Sequence, residues 1–348
     1  MRVLVIGGSA FLGRAVVEEA LRRGHEVTTF NRGRSGEDLP GVEAVRGDRE
    51  VGADLARLVE GRHWDLVVDT SGYVPRVVGD SVRALSGHAG TYAFISTISA
   101  VAGFPEKPVS EESGLQECPP DAGPDFADGD YGVLKAGCER AVEQGFDGNA
   151  LIIQPGLILG PHENVARLPW WLTRISRGGQ VLAPGDPYVP MQLIDARDIA
   201  IFTLDRAGTS DRFIVTGPEG NATYGGWLEM CREVTGSDAE FVWVDDAFLL
   251  EREVDVWFEL PLWAPAAPET SSFWRASTAK AERAGLRCRP VAETVADTWE
   301  WLRHIPVESR VFGAKREHGI AADKEAAILA EWAARSVDSS TEREGGAH

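Results

Sequence analysis

The run Arg2-Val-Leu-Val-Ile6 followed by Gly7-Gly-Ser-Ala-Phe-Leu-Gly13 narrows the folds open to this chain more than any other feature. Val3–Ile6 is continuously apolar and β-branched or aliphatic, the texture of a strand buried on both faces in a parallel sheet. Phe11–Arg23 follows as a helix. Val16, Val17, Ala20 and Leu21 share one face, Glu18, Glu19, Arg22 and Arg23 lie largely on the other, and Gly24 closes the helix. Strand, glycine turn and helix in this order point the positive helix end at the turn, where the backbone can approach a pyrophosphate closely. Gly13 lets the helix pack against the sheet. The plainer alternative is an ordinary strand-to-helix turn, but the flanking strand and helix favour a dinucleotide cradle of Gly7, Ser9, Ala10, Phe11, Leu12 and Gly13.

The alternation continues. Glu26–Phe30, Ala44–Arg46, Leu66–Asp69, Thr91–Ser96 and Ala150–Gln154 read as strands. Ala53–Glu60, Val78–Ser86 and Tyr131–Gln144 read as helices, and Val101–Asp130, rich in Pro, Gly, Asp and Glu, as a long surface loop. Strands separated by helices predict an α/β fold with a doubly wound parallel Rossmann sheet. From Pro155 onward Pro, Gly and Trp become frequent and periodicity weakens. Phe213–Thr216 and Phe241–Val244 still read as strands, and Tyr224–Val234 and Ala281–Ala284 as helices. The expected division is a dinucleotide-binding domain over 1–160 with a return segment at about 190–217, a smaller interleaved C-terminal substrate lobe over 161–335, and a disordered tail over 336–348. Trp170, Trp171, Trp257, Trp263 and Trp274 are assigned to the core of that lobe rather than to a pocket wall.

The bulk properties exclude several classes of function. A net charge of −19 repels phosphate backbones and anionic lipid, so neither nucleic acid nor membrane is expected as a partner. No apolar run reaches the ~18 residues of a membrane span, and the apolar N-terminus is too short for a signal peptide. Cys118, Cys138, Cys231 and Cys288 are widely spaced, which fits a reducing cytoplasm. No His-x-x-x-His or comparable spacing occurs, and no metal is expected.

The end of the second strand separates the two nicotinamide dinucleotides. An NAD site places a carboxylate there to accept the ribose 2′-hydroxyl. This chain has Asn31-Arg32-Gly-Arg34, whose guanidinium groups suit a 2′-phosphate, so NADP(H) is predicted over NAD(H). Asp48 is placed to accept a bond from the adenine amino group. Arg49, Thr70, Ser71, Gly72, Lys135 and Pro155 complete the predicted cofactor set.

Gly7–Gly13, Asp48, Ser96-Thr97, Tyr131-Gly-Val-Leu-Lys135, Pro155 with Gly160-Pro161, and Ile194-Asp-Ala-Arg-Asp198 occur in an order that resembles the extended short-chain dehydrogenase/reductases, the NAD-dependent epimerase/dehydratase family. The resemblance covers roughly residues 1–300. Ala10, where a glycine is usual, together with Phe30-Asn-Arg-Gly33, looks like an atypical branch that includes bacterial reductases and chloroplast RNA-binding proteins. The chemistry is sound independently of the resemblance. Tyr131 and Lys135, four residues apart, share a helix face, and an ammonium lowers a phenol's pKa from about 10 toward the working range. The resemblance implies that Tyr131 is the acid/base, that Lys135 also holds the nicotinamide ribose, and that Thr97 hydrogen-bonds the reacting oxygen, with Ser96 and Ser99 as alternatives.

Departures from the family pattern narrow the substrate. Ile98 and Ser99 stand where sugar-nucleotide dehydratases carry Asp-Glu, which argues against dehydration. Gln154 and Leu157 replace an Arg and a diphosphate-contacting Asn, which argues for a smaller or more apolar substrate than a nucleotide sugar. Asp195 and Asp198 are expected to bond backbone amides, with Asp195 also a candidate to face the cleft. The reading is an NADP(H)-dependent oxidoreductase acting on a small-molecule carbonyl or alcohol. The alternatives are a sugar or nucleotide-sugar epimerase and a nonenzymatic RNA-binding member of the atypical branch. The resemblance also implies a homodimer through the helices after the fourth and fifth strands.

Overall fold

The computed structural model describes every residue except Ser35, 311–316 and 346–348, and beyond residue 335 it describes the backbone only. Seven parallel strands form the central sheet, in the order β11-β6-β5-β4-β1-β2-β3. They are β1 (Arg2–Ile6), β2 (Glu26–Asn31), β3 (Glu43–Arg46), β4 (Trp64–Asp69), β5 (Ala89–Ile95), β6 (Asn149–Pro155) and, after the short strands β7 (Leu157–Leu159), β8 (Gln180–Pro184), β9 (Pro190–Met191) and β10 (Leu193–Asp195), β11 (Asp211–Val215). Helices α1 (Phe11–Arg22), α2 (Gly52–Val59), α3 (Pro75–Leu85) and α4 (Tyr131–Gly145) make the early crossovers. After α5 (Arg167–Ile175), helix α6 (Ala196–Asp205) precedes β11.

The alternating side chains of β1 explain the two layers. Val3 and Val5 join Val16, Val17 and Ala20 of α1 in one apolar cluster that includes Ile199 of α6. Leu4 and Ile6 point the other way, into a cluster with Leu55 of α2, Val78 and Val82 of α3 and Val142 of α4. A strand buried on both faces has no polar side, which is why Val3–Ile6 carries no polar residue.

The chain divides into two compact units. The first comprises 1–162, 191–221 and 271–291; the second comprises 163–190, 222–270 and 292–348. Segment 271–291, which the sequence reading left in the second lobe, belongs to the first unit, and Trp274 with it. In the second unit Glu240–Val244 pairs in parallel with β8. Trp171 stands edge-on to Trp227 and Tyr224, with centroids 6.4 and 6.2 Å apart, and its indole N–H donates to the Pro261 carbonyl at 2.8 Å. Trp170, Trp171 and Trp263 are buried, as lobe-core residues should be.

The tail reading is corrected. A helix runs over Ala322–Gly345 where 336–348 was expected to be disordered; 346–348 lie outside the described residues. Its first turns are anchored, because Glu325 accepts from Arg174 at 2.7 Å and from the Leu182 backbone N–H at 3.1 Å. No helix among the described residues is long and apolar enough to cross a membrane.

Candidate active site

The strand ends of the first unit assemble the site. Helix α1 opens at Ala10 with no side-chain cap and no acidic residue in its first turn. Its leading N–H groups and positive end therefore face the turn with no internal anion, which suits a phosphate. A Cβ on Gly13 would lie 2.7 Å from the Gly8 nitrogen, so only glycine lets the helix approach this closely. Ala10 has φ −139 and ψ 148, extended backbone open to any residue, which explains why alanine is accommodated where the family has glycine. Phe11, at φ +39, carries the strain of the turn instead.

At the end of β2, the Asn31 side chain donates to the Gly7 carbonyl at 3.3 Å and to Asp38 at 3.0 Å, and accepts from the Gly33 N–H at 2.8 Å. Arg46 donates to Asn31 at 2.9 Å and is ion-paired with Asp38. Arg32 is exposed and lies 3.7 Å from Asp48. Arg34 is exposed as well. Arg46 thus neutralises Asp38, the carboxylate beside Asn31.

One cofactor assignment needs correcting. Arg49 does not point into this corner. Its guanidinium makes two 2.8 Å bonds to Asp69 and a 3.0 Å bond to Ser81. Burial alone would push Asp69 up, but Arg49 outweighs it and holds the carboxyl below its usual range. Asp69 also accepts from Tyr92 at 2.7 Å and from the Ser71 N–H at 3.1 Å. Thr70 donates to the Ile6 carbonyl at 3.1 Å. Arg49 therefore braces the Thr70-Ser71-Gly72 turn from inside the fold.

That brace reaches the catalytic candidates. Lys135 is 3% exposed and donates to the Gly72 carbonyl at 2.8 Å and to the Ile95 carbonyl at 2.6 Å. Its Nζ lies 4.0 Å from the centre of the Phe94 ring. Two of its three N–H bonds are thereby fixed. Burial lowers its pKa from 10.5 to about 8.

Tyr131 is the first residue of α4, 49% exposed, with its ring 6.4 Å from that of Tyr73. Asp130 caps the helix by accepting from the Val133 N–H at 2.8 Å. Gly132 shows why the helix starts here: a Cβ would lie 2.3 Å from the Ser99 carbonyl, so the first turn of α4 rests directly on the segment after Thr97. Thr97 is buried at the end of β5, and its hydroxyl accepts from the Ser99 N–H at 3.2 Å. Tyr131, Lys135 and Thr97 are thus carried by two elements in contact.

Ser96, one of the two alternatives to Thr97, and the remaining acids have structural duties, whereas Ser99 is tied in through its backbone, its carbonyl accepting from Gln116 at 2.7 Å. Ser96 donates to the buried carboxylate of Glu139 and so turns away from the helix start. Asp195 accepts from the Arg197 backbone and side chain at 2.8 and 2.7 Å, and Asp198 from Arg289 at 2.8 Å. Gln154 donates to Glu139 at 3.0 Å, so its replacement of the family Arg concerns the interior. Leu157 is buried on β7, and Pro155 ends β6. The sequence reading missed Asp38, Arg46, Asp69, Gly132 and Glu139. Of these only Glu139 left a trace, as an acid four residues past Lys135 on the same helix face.

Residues 3–205 match the NAD dependent epimerase/dehydratase family. The chain belongs to this family. As an extended short-chain dehydrogenase/reductase it is similar to 2'-dehydrokanamycin reductase of Streptomyces kanamyceticus, with 29% identity over 206 residues. That match covers 57% of this chain and 55% of the relative, about half its length. Among solved structures it resembles UDP-glucose 4-epimerase of Thermotoga maritima, with a TM-score of 0.67, 18% identity, and 87% of this chain and 99% of that one covered. It also resembles WbmH of Bordetella bronchiseptica, solved with NAD+, with a TM-score of 0.66, 17% identity, and 88% and 99% covered. These structural likenesses are likenesses of fold.

Proposed function

We propose that this member of the family is an NADP(H)-dependent oxidoreductase that reduces a carbonyl of a small molecule, or oxidises the corresponding alcohol, with Tyr131 as acid/base. The observation that carries the reading is the buried Lys135 ammonium, fixed by two backbone carbonyls one helical turn from an exposed tyrosine. The dinucleotide, when bound, supplies the hydride. Gly7, Ser9, Ala10, Phe11, Leu12 and Gly13 would cradle its pyrophosphate. Arg32 and Arg34 would meet the 2′-phosphate beside Asn31, and Asp48 the adenine. Thr70, Ser71, Gly72 and Pro155 would line its path, and Lys135 would hold the ribose.

The chain's own part is proton management. Tyr131 gives its phenolic proton to the carbonyl oxygen as that oxygen gains charge. Thr97 donates a hydrogen bond to the same oxygen. The Lys135 ammonium stabilises the phenolate left behind. The curated relative's name, a reductase, supports this direction over epimerisation. The small-molecule substrate and a cytoplasmic setting belong to the same proposal. The test is NADPH consumption across a panel of small carbonyl compounds, with bound nucleotide assayed after purification. Net consumption supports the reading. Tightly retained nucleotide without net consumption supports an epimerase instead.

A further inference from the structure

Glu139 lies on α4 one turn beyond Lys135 and is fully buried. The groups facing it come from four elements. Ser96, at the end of β5, donates to its Oε1. Gln154, on β6, reaches both oxygens at 3.0 and 3.1 Å. Arg212, on β11, lies 3.1 Å from Oε2 and bridges to the exposed Glu143 at 2.6 Å. Lys135 and Glu143 are the charged neighbours on its own helix. None of these contacts reaches the outer face of the site, so Glu139 does not touch substrate.

Its position still controls the site. The Ser96 N–H donates to the Ile153 carbonyl at 2.6 Å, the preceding Ile95 carbonyl receives Lys135, and the next residue is Thr97. A single carboxylate thus anchors the residue between the two catalytic contacts. The cluster also suits either protonation state. Gln154 Oε1 has no hydrogen-bond partner among the described residues. Turning the amide over would present that oxygen to a protonated Glu139, whose O–H it could accept. Burial raises the Glu139 pKa to about 7, against the pull of Ser96, Gln154 and Arg212.

We infer that Glu139 is a positioning residue of the active site: through Ser96 it holds the end of β5 that carries Thr97 and the Ile95 carbonyl, and its proton couples their placement to pH. This rests on the proposed roles of Thr97, Tyr131 and Lys135.

The test is a pH titration of the Thr97 methyl resonance by NMR in the intact chain. In the wild type the resonance moves with a midpoint near the Glu139 value of about 7. In Glu139→Gln, and independently in Ser96→Ala, that movement disappears. Turnover of NADPH in either variant falls by about 10- to 100-fold, as small misplacements of reacting groups do, while NADPH affinity stays within about twofold. An unchanged Thr97 titration in both variants, or none in the wild type, overturns the inference whatever Tyr131→Phe does. Retained turnover in Tyr131→Phe would instead remove the reading of the acid and leave the titration standing.

Discussion

At the scale of single residues, charge placement decides what the site can do. Lys135 is charged below about 8, so activity that depends on its ammonium should decline as pH rises through that value. The sign for stability is opposite. The folded chain holds fewer protons at this group between about 8 and 10.5, so its contribution grows as pH rises across that window. Lys135→Met should abolish the alkaline decline, lower turnover about 100-fold or more, and flatten the stability difference between pH 8 and 10, read by thermal unfolding. An alkaline decline that persists in the variant would show that another group sets it. Arg32→Ala should weaken NADPH on the order of tenfold, the loss of a charge-assisted bond, and leave NADH nearly unchanged by fluorescence titration. Equal losses would remove Arg32 from the 2′-phosphate.

At the scale of elements, the site depends on how strand ends are braced and where α4 begins. Breaking the buried Arg49–Asp69 pair leaves a carboxylate without its partner, so Arg49→Leu should cost about 3–5 kcal/mol in urea unfolding. A change below about 1 kcal/mol, the range of an exposed pair, would show that the brace is not structural. Gly132→Val should drive the first turn of α4 off the Ser99 carbonyl and lower turnover at least about tenfold through misplacement of Tyr131. Circular dichroism should still show a folded protein. The same contrast separates what was legible in the sequence from what was not. Tyr131, Lys135 and the Gly7–Gly13 turn announce themselves through spacing along one chain segment. Arg49 reads as a cofactor ligand until its partners appear, because Asp69 and Ser81 are 20 and 32 residues away. Asp38 and Arg46 pair only once β2 and β3 lie side by side. Helix α3 starts at Pro75, three residues before the Val78 start expected, because proline in a first turn looks like a break when read linearly.

At the scale of the whole molecule, the sheet was written in the alternation of apolar strands with amphipathic helices, and so was one return of the chain to the first unit, expected at about 190–217 and found at 191–221, while the second return was not. Segment 271–291 returns to the first unit through contacts that no local pattern encodes, such as the Gln192 side chain donating to the Ala276 carbonyl at 2.9 Å. The helix over Ala322–Gly345 escaped notice because the sequence from Ser336 onward is mostly Ser, Thr, Asp, Glu and Arg, the composition of a solvated tail. The net charge of −19 makes a further expectation: RNA added at low ionic strength should produce no mobility shift, and nanomolar, salt-sensitive binding would overturn the enzymatic reading in favour of an RNA binder. The central claim is that Tyr131 is the acid/base of an NADP(H) oxidoreductase. Its most direct test is the rate of NADPH consumption by Tyr131→Phe beside the wild type on the best carbonyl substrate of the panel. A fall of about 100-fold or more with NADPH affinity nearly unchanged is the expected result; a variant that keeps near-normal turnover would contradict it.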